Sequence, residues 1–286
     1  MPTNREVYFS LLKENNKYLP RNVINSMLCF INNFDCNLTL YKNFDLECKK
    51  YDEFIKLVDR VKNGEPYQYV IGKANFIDLT FNVNPHVLIP RQETEELVIG
   101  TKVIADKFFN HLSKITIADV CTGSGVIGLY MKRLYKLANV YLSDIDEECL
   151  KVAKSNSELH NLDVQLLQGY LLEPFIKNNI KLDVLICNPP YIGDSSTIDE
   201  QVWKYEPHSA LLADPKTLFY ERIFKDADKV MNPNSIMAFE IGEDMEDELC
   251  VLVENYFPNS AYKLSKDIYG KMRFLYIMIK EDGNYA

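Results

Sequence analysis

The sequence predicts an α/β fold, a mostly parallel sheet with helices on both faces, preceded by a small helical bundle. Three observations predict it. From about residue 97, apolar runs of strand length alternate with stretches of helical period, the rhythm of a parallel sheet crossed over by helices. A glycine-rich turn, Thr122-Gly123-Ser124-Gly125-Val126-Ile127-Gly128, joins the first of those runs to its helix. Before residue 64 the apolar residues keep a helical spacing.

Taken in order, Thr3 and Glu6 have the spacing of a helix capping box, and Val7, Leu11 and Leu12 begin the stripe behind it. Val23, Ile24, Met27, Leu28, Ile31 and Phe34 give a second face. Tyr51, Phe54, Ile55, Val58 and Val61 give a third, stopped by Asn63-Gly64. Residues 1–63 therefore read as a helical bundle. Residues 64–90 read as a connector with a short hairpin, because Phe76–Val83 alternates in the strand manner. Val87–Glu95 is a loop entering a helix whose first turn is acidic, as the helix dipole favours.

Residues 91–286 form the large domain. Helix Glu95–Phe109 precedes strand Ile115–Val120. The glycine turn and a helix to about Leu137 follow, then strand Val140–Ser143 ending at Asp144, helix Glu147–His160 and strand Val164–Gln168. Strand Leu182–Cys187, helix Thr217–Met231, strand Ser235–Ile241 and helix Met245–Phe257 come next. Two strand-like runs, Tyr262–Ile268 and Arg273–Ile279, bring the number of predicted strands to seven. Those last two lie too close together for a helical crossover, so at least one is expected to run antiparallel.

The composition, 47% hydrophobic and 26% charged over 286 residues, is that of a globular chain long enough for one large domain or two smaller ones. No apolar stretch approaches the ~18 residues of a membrane span, and the N-terminus carries no signal-like apolar region. Seven cysteines (29, 36, 48, 121, 149, 187, 250) form no Cys-x-x-Cys pair. They read as reduced thiols in a cytoplasmic protein. The four histidines (86, 111, 160, 208) are equally scattered, so no metal site is expected. Charge is uneven. Residues 1–75 hold 11 Lys/Arg against 9 Asp/Glu, leaving 21 basic and 32 acidic residues in the remainder. An enzyme of nucleic acids needs a basic surface, so the acidic large domain argues against DNA or RNA as the main partner.

Chemistry concentrates at two strand ends. Asp119-Val-Cys121-Thr122-Gly123-Ser124-Gly125 turns from a strand into a helix, where glycines let a ligand approach the main chain and the helix N-terminus offers free N–H groups. Asp144 ends the next strand and can accept hydrogen bonds from ribose hydroxyls. Taken alone, this loop fits either NAD or S-adenosylmethionine. Asn188-Pro189-Pro190-Tyr191, at the end of a later strand, separates the two. Both prolines lack an N–H and stiffen the turn. Its free carbonyls, the Asn188 amide and the Tyr191 ring suit a planar group with N–H donors. A nucleoside-bearing cofactor aimed at such a site fits methyl transfer to an amide or amino nitrogen. It leaves no acid placed for hydride transfer.

These residues resemble a known family. Asp119-x-x-Thr-Gly-Ser-Gly125 with Asn188-Pro-Pro-Tyr191 looks like an amino methyltransferase using S-adenosylmethionine. Gly64-Glu-Pro-x-Gln-Tyr-x-x-Gly72, Ile89-Pro-Arg-Gln-Glu-Thr-Glu95, Tyr205-Glu-Pro207, Phe239-Glu-Ile-Gly242 and Asp267-x-x-Gly-Lys-x-Arg273 resemble the HemK/PrmC family, the release-factor glutamine methyltransferases. The resemblance implies a Rossmann-like class I methyltransferase domain. It implies transfer of a methyl group to the side-chain amide (N5) of the glutamine in the Gly-Gly-Gln loop of class 1 peptide chain release factors. By resemblance, Asp119, Cys121, Thr122, Gly123, Ser124, Gly125 and Asp144 hold the cofactor. Tyr170, Leu171 and Asn188 border it, and Asn188, Pro189, Pro190 and Tyr191 hold the glutamine. The chain departs from the family at Tyr170, where Asp is usual, and at Cys121, where some members have Gly.

The mechanism implied is orientation. The Asn188 side-chain oxygen and the Pro189 carbonyl accept the two amide hydrogens, and the Tyr191 ring covers the amide. Glu206 and Glu240 are read as structural carboxylates beside the site, Arg91 and Glu93 as braces, Arg273 as the partner of an acidic neighbour, and Trp203 as lid or core. Four other readings stay open: a ribosomal-protein glutamine methyltransferase, an adenine-N6 DNA methyltransferase, an NAD-dependent dehydrogenase and a non-catalytic release-factor adaptor.

Overall fold

The computed structural model describes residues 1–35, 37–109 and 114–281. Cys36 and His111, counted above among the scattered thiols and imidazoles, lie outside them. The chain begins with α1 (Asn4–Lys13), α2 (Arg21–Asn32), α3 (Asn37–Lys42), α4 (Tyr51–Lys62) and α5 (Tyr67–Ile71). A two-stranded hairpin, β1 (Lys73–Phe76) and β2 (Leu79–Asn82), follows. Then come α6 (Gln92–Phe108), β3 (Thr116–Val120), α7 (Val126–Leu134), β4 (Asn139–Asp144), α8 (Glu147–His160), β5 (Gln165–Gln168) and α9 (Glu173–Lys177). The remainder is β6 (Leu182–Cys187), α10 (Glu200–Tyr205), α11 (Leu218–Val230), β7 (Met231–Glu240), α12 (Glu246–Tyr256), β8 (Ala261–Lys266) and β9 (Met272–Ile279).

Two compact units result. One comprises Met1–Lys73 with Asp199–Tyr205, the other Ala74–Ile198 with Glu206–Ala286. The division falls at Lys73 rather than at residue 63, and α10 joins the N-terminal unit, where Gln201 Nε2 donates to the Gly64 carbonyl at 2.7 Å. Trp203, considered as lid or core, sits half-buried in that helix. The capping box forms: Thr3 Oγ1 accepts from the Glu6 N–H at 3.2 Å, and Glu6 Oε2 accepts from the Thr3 N–H at 2.8 Å. Ile24, Leu28, Phe54 and Val58 are fully buried at the centre of this unit, two from each of the second and third helical stripes, which bring their apolar faces inward.

The large unit is built on seven described strands in the order β5-β4-β3-β6-β7-β9-β8. All neighbours are parallel except at β9, which runs antiparallel to both β7 and β8. The chain steps outward from β3 through β4 to β5 and then resumes on the other side of β3 with β6. That reversal is the switch point at which open α/β sheets open a ligand crevice. The register pairs Val120 with Cys187, so the glycine turn and Asn188 leave adjacent strands side by side. Strand residues alternate between faces. Ile117, Leu142 and Ile236 pack with Leu97 and Leu129 on one face. Leu185, Phe239 and Ile277 pack with Phe224 and Leu249 on the other.

Local differences from the sequence reading have local causes. The alternating run at 76–83 is not one strand but a hairpin end, because the chain turns at Ile77, whose φ is 55°. The helices α3, α5, α9 and α10 have six residues or fewer, too short to show a helical period. Helix α7 stops at Leu134 rather than near Leu137. No described helix is long and apolar enough to cross a membrane.

Candidate active site

A cavity of about 380 Å³ opens at the carboxyl ends of β3, β4 and β6, within the ordinary range of small-ligand sites. Cys121, Thr122, Gly123, Ser124, Asp144, Tyr170, Leu171, Asn188 and Pro190 line it. Asp119, Gly125, Pro189 and Tyr191 do not line it, and each has a physical reason.

Asp119 points from β3 into the interior and is fully buried. Its Oδ2 accepts from Thr122 Oγ1 at 2.5 Å and from the Gly128 N–H at 2.9 Å. It holds the loop from behind. Gly125 caps α7 at φ 83°, where only glycine is unstrained, with Ala153 and Leu129 close to where a Cβ would stand. Pro189 is buried within the turn. The half-buried Tyr191 ring packs against the core, and its hydroxyl donates to Glu240 Oε1 at 3.2 Å.

The loop itself is stitched to β4. Thr122 N–H donates to the Ser143 carbonyl at 3.0 Å, and Gly123 N–H donates to Asp144 Oδ2 at 2.9 Å. Asp144 Oδ1 accepts from the Asp146 N–H at 3.0 Å. Burial pushes the Asp144 carboxyl up, and these N–H donors pull it back. Gly123, at φ 53°, has open space where a Cβ would stand, so a ligand can meet the main chain there. Cys121 also sits in the left-handed region, at φ 60°, which costs a non-glycine residue about 1–2 kcal/mol. That is a conformation glycine adopts freely. Behind the loop, a Cβ on Gly128 would lie 2.1 Å from Leu142 Cδ2 and 2.9 Å from Asp119 Cβ. Gly128→Ala should therefore destabilise the large unit by about 1–3 kcal/mol through overpacking. A parental urea midpoint would contradict this.

On the β6 side, Asn188 Nδ2 donates to Thr94 Oγ1 at 3.2 Å, and Thr94 Oγ1 donates to Glu240 Oε2 at 2.7 Å. Glu240 is buried, and burial raises its carboxyl against the pull of Thr94, Arg273 and Tyr191. Glu206 braces the entrance to α6: it accepts from the Ile89 N–H at 3.1 Å and pairs with Arg91 at 2.6 Å. Glu95, rather than Glu93, ties α6 to the hairpin by accepting from the Ile77 N–H at 2.7 Å. Arg273 pairs with Asp267 at 3.5 Å. Tyr170 carries the Arg222 guanidinium over its ring at 5.4 Å and accepts a hydrogen bond from it. Thr94, Leu88 and Phe219 also line the cavity. Thr94 lies inside a quoted motif without having been given a role, and Leu88 and Phe219 carry no local signal at all.

The donors fit a nucleoside-bearing cofactor. A carboxylate at a strand end can take ribose hydroxyls, an open glycine admits the ligand to the main chain, and Leu171, Ile145 and Phe219 supply apolar wall.

Comparison with known proteins agrees with this geometry. The family model described as the methyltransferase small domain matches residues 93–208. Among solved structures, the hMettl16 catalytic domain in complex with a MAT2A 3'UTR hairpin superposes with a TM-score of 0.56 at 16% identity, covering 77% of this chain and 80% of that one. A Thermus thermophilus 16S rRNA methyltransferase in complex with AdoMet and guanosine gives 0.51 at 16% identity, over 73% of this chain and 49% of that one. At that identity they share the fold alone. The release factor glutamine methyltransferase of Staphylococcus aureus is 39% identical over 227 residues, 78% of this chain and 79% of the relative. Its counterpart in Bacillus subtilis is 37% identical over 232 residues, 80% and 81%. With likeness of that degree over most of both lengths, the chain belongs to the release factor glutamine methyltransferase family.

Proposed function

We propose that this chain transfers a methyl group from S-adenosylmethionine to the side-chain amide nitrogen (N5) of the glutamine in the Gly-Gly-Gln loop of class 1 peptide chain release factors, in the cytoplasm. The observation that carries the reading is that Asp144 and Asn188 face one cavity from strand ends on either side of β3. One is suited to ribose hydroxyls and the other to an amide. S-Adenosylmethionine, when bound, supplies an electrophilic methyl group on a sulfonium. Asp144 and the Gly123 main chain hold the ribose side, while Tyr170 and Leu171 border the adenine. Asn188 Oδ1 and the Pro189 main-chain carbonyl accept the two amide hydrogens, and Pro190 walls the site.

An amide nitrogen is a poor nucleophile because its lone pair is delocalised into the carbonyl. Two acceptors on its hydrogens aim the nitrogen and favour a less planar geometry. Holding reactants in line supplies roughly 7–11 kcal/mol in favourable cases. The acidic balance of the large unit supports a protein over a nucleic-acid acceptor.

The test is to incubate the protein with radiolabelled S-adenosylmethionine and separately with a class 1 release factor, ribosomal proteins and DNA, then locate the label. Label on the release-factor glutamine is the expected result. Label on a ribosomal protein or on DNA would move the acceptor, and label on none would leave an adaptor role.

A further inference from the structure

The Asn188 amide can face the cavity in two ways, and only one of them suits an acceptor that brings N–H groups. With Oδ1 inward it accepts those hydrogens; with Nδ2 inward it opposes them with a second donor. Nothing in the Asn-Pro-Pro-Tyr turn itself decides between the two. The decision comes from residues far away in sequence. Glu240 is buried at the end of β7 and takes a hydroxyl on each oxygen, Tyr191 on Oε1 at 3.2 Å and Thr94 on Oε2 at 2.7 Å. A hydroxyl has one proton. Thr94, itself buried in the first turn of α6, has committed its proton to Glu240, so only lone pairs of Oγ1 remain for its other neighbour. That neighbour is Asn188 Nδ2, at 3.2 Å. Turning the amide over would set Oδ1 against those lone pairs, two acceptors without a proton between them.

We propose that Thr94 and Glu240 are positioning residues that fix which way round the Asn188 amide faces, so that its oxygen, and not its nitrogen, meets the substrate. The orientation stands on geometry. Its consequence for catalysis rests on the proposed methylation of an amide nitrogen. The relay also explains why a buried carboxylate sits beside the site without lining the cavity: as a carboxylate it accepts the Thr94 proton. Glu240→Gln is the sharpest probe. A glutamine of the same shape can turn its Nε2 to Thr94, which frees the Thr94 proton for Asn188 Oδ1 and brings Nδ2 into the cavity. Thr94→Val removes the relay, and Thr94→Ser keeps it.

The experiment measures kcat and KM for release-factor methylation together with the Kd for S-adenosylmethionine. Thr94→Val and Glu240→Gln should each lower kcat about 100-fold, the scale seen when one preorganised hydrogen-bonding group at a reacting centre is lost, with the cofactor Kd unchanged. Thr94→Ser should stay near the parent. Because both residues act through one amide, the double variant Thr94→Val/Glu240→Gln should lose about 100-fold and not the product of the two losses. Multiplied losses, a serine variant as impaired as the valine one, or near-parental kcat in Glu240→Gln would overturn the proposal.

A readout without variants or substrate guards against misfolding. In the parent protein, an NMR cross-relaxation contact should join the Asn188 Nδ2 protons to the Thr94 methyl, and its absence would also overturn the orientation. If the parent protein labels no release factor, the proposed function fails, while this contact still decides the orientation by itself.

Discussion

Asn188→Ala should lower kcat for release-factor methylation by about 10³-fold, the upper range for losing a preorganised group at a reacting centre. Cofactor affinity should fall by no more than about tenfold, the worth of one ordinary hydrogen bond. The asymmetry follows from the layout of the cavity. In the proposed arrangement the cofactor side keeps Asp144, the open Gly123 main chain, Tyr170 and Leu171, all of which line the cavity. The proposed acceptor side has Asn188 at the end of β6, followed by two prolines that stiffen the turn. Alanine removes the acceptor and leaves an amide substrate free to rotate, so the loss appears in kcat more than in KM. Thr94 keeps its bond to Glu240, so the fold should tolerate the change. Equilibrium binding of S-adenosylmethionine measured beside single-turnover methylation separates the two effects. Methylation within tenfold of the parent would remove Asn188 from the catalytic role.

Much of this site was legible because strand ends are punctuated. Gly123, Gly125 and the two prolines mark where strands stop, and the order of strand, loop, helix and Asp144 places a nucleoside site before any coordinates are seen. What stayed hidden depends on facing and on distance. Asp119 reads as a ligand residue from its motif, yet Ile117 and Asp119 share one face of β3 by the two-residue period, and Ile117 is core. Parity alone could have placed Asp119 inside. Tyr191 reads as a ring facing the substrate amide, and no local signal reports that the ring packs against the core or that its hydroxyl meets Glu240. The Thr94–Asn188 and Thr94–Glu240 bonds join residues 94 and 146 positions apart, and no local spacing reports such a contact. Cys121 is the converse case, a departure from the resembled motif whose positive φ is a conformation glycine adopts freely.

Asp119→Asn should reverse its effect on stability between pH 5 and pH 8. Asp119 is fully buried, and one of its oxygens, Oδ1, has no hydrogen-bond partner. Burial pushes its carboxyl up from 3.8 to about 7, against the pull of the Thr122 hydroxyl and the Gly128 N–H, with Asp144 adding a smaller push. In the unfolded chain the same carboxyl loses its proton near 4. Between about pH 4 and pH 7 the folded state therefore binds more protons than the unfolded state, so stability falls as pH rises through that window and levels off above it. This is the opposite sign to a salt-bridged carboxylate. The full drop is of the order of 4 kcal/mol, since one pH unit corresponds to about 1.4 kcal/mol.

Asparagine keeps an oxygen for Thr122 and Gly128 and cannot ionise, but its Nδ2 takes the unpartnered place, at a cost of about 1–3 kcal/mol. At pH 5, where the parent carboxyl is still protonated, the variant should be the less stable of the two. At pH 8 the parent carries a buried charge and the variant should match or exceed it. Asp144, also raised by burial, titrates in both proteins and cancels in the difference apart from the smaller push between the two carboxyls. Urea unfolding followed by far-ultraviolet circular dichroism at the two pH values gives the comparison. A constant gap between parent and variant would mean that Asp119 folds as a carboxylate, with its unpartnered oxygen stabilised in some other way.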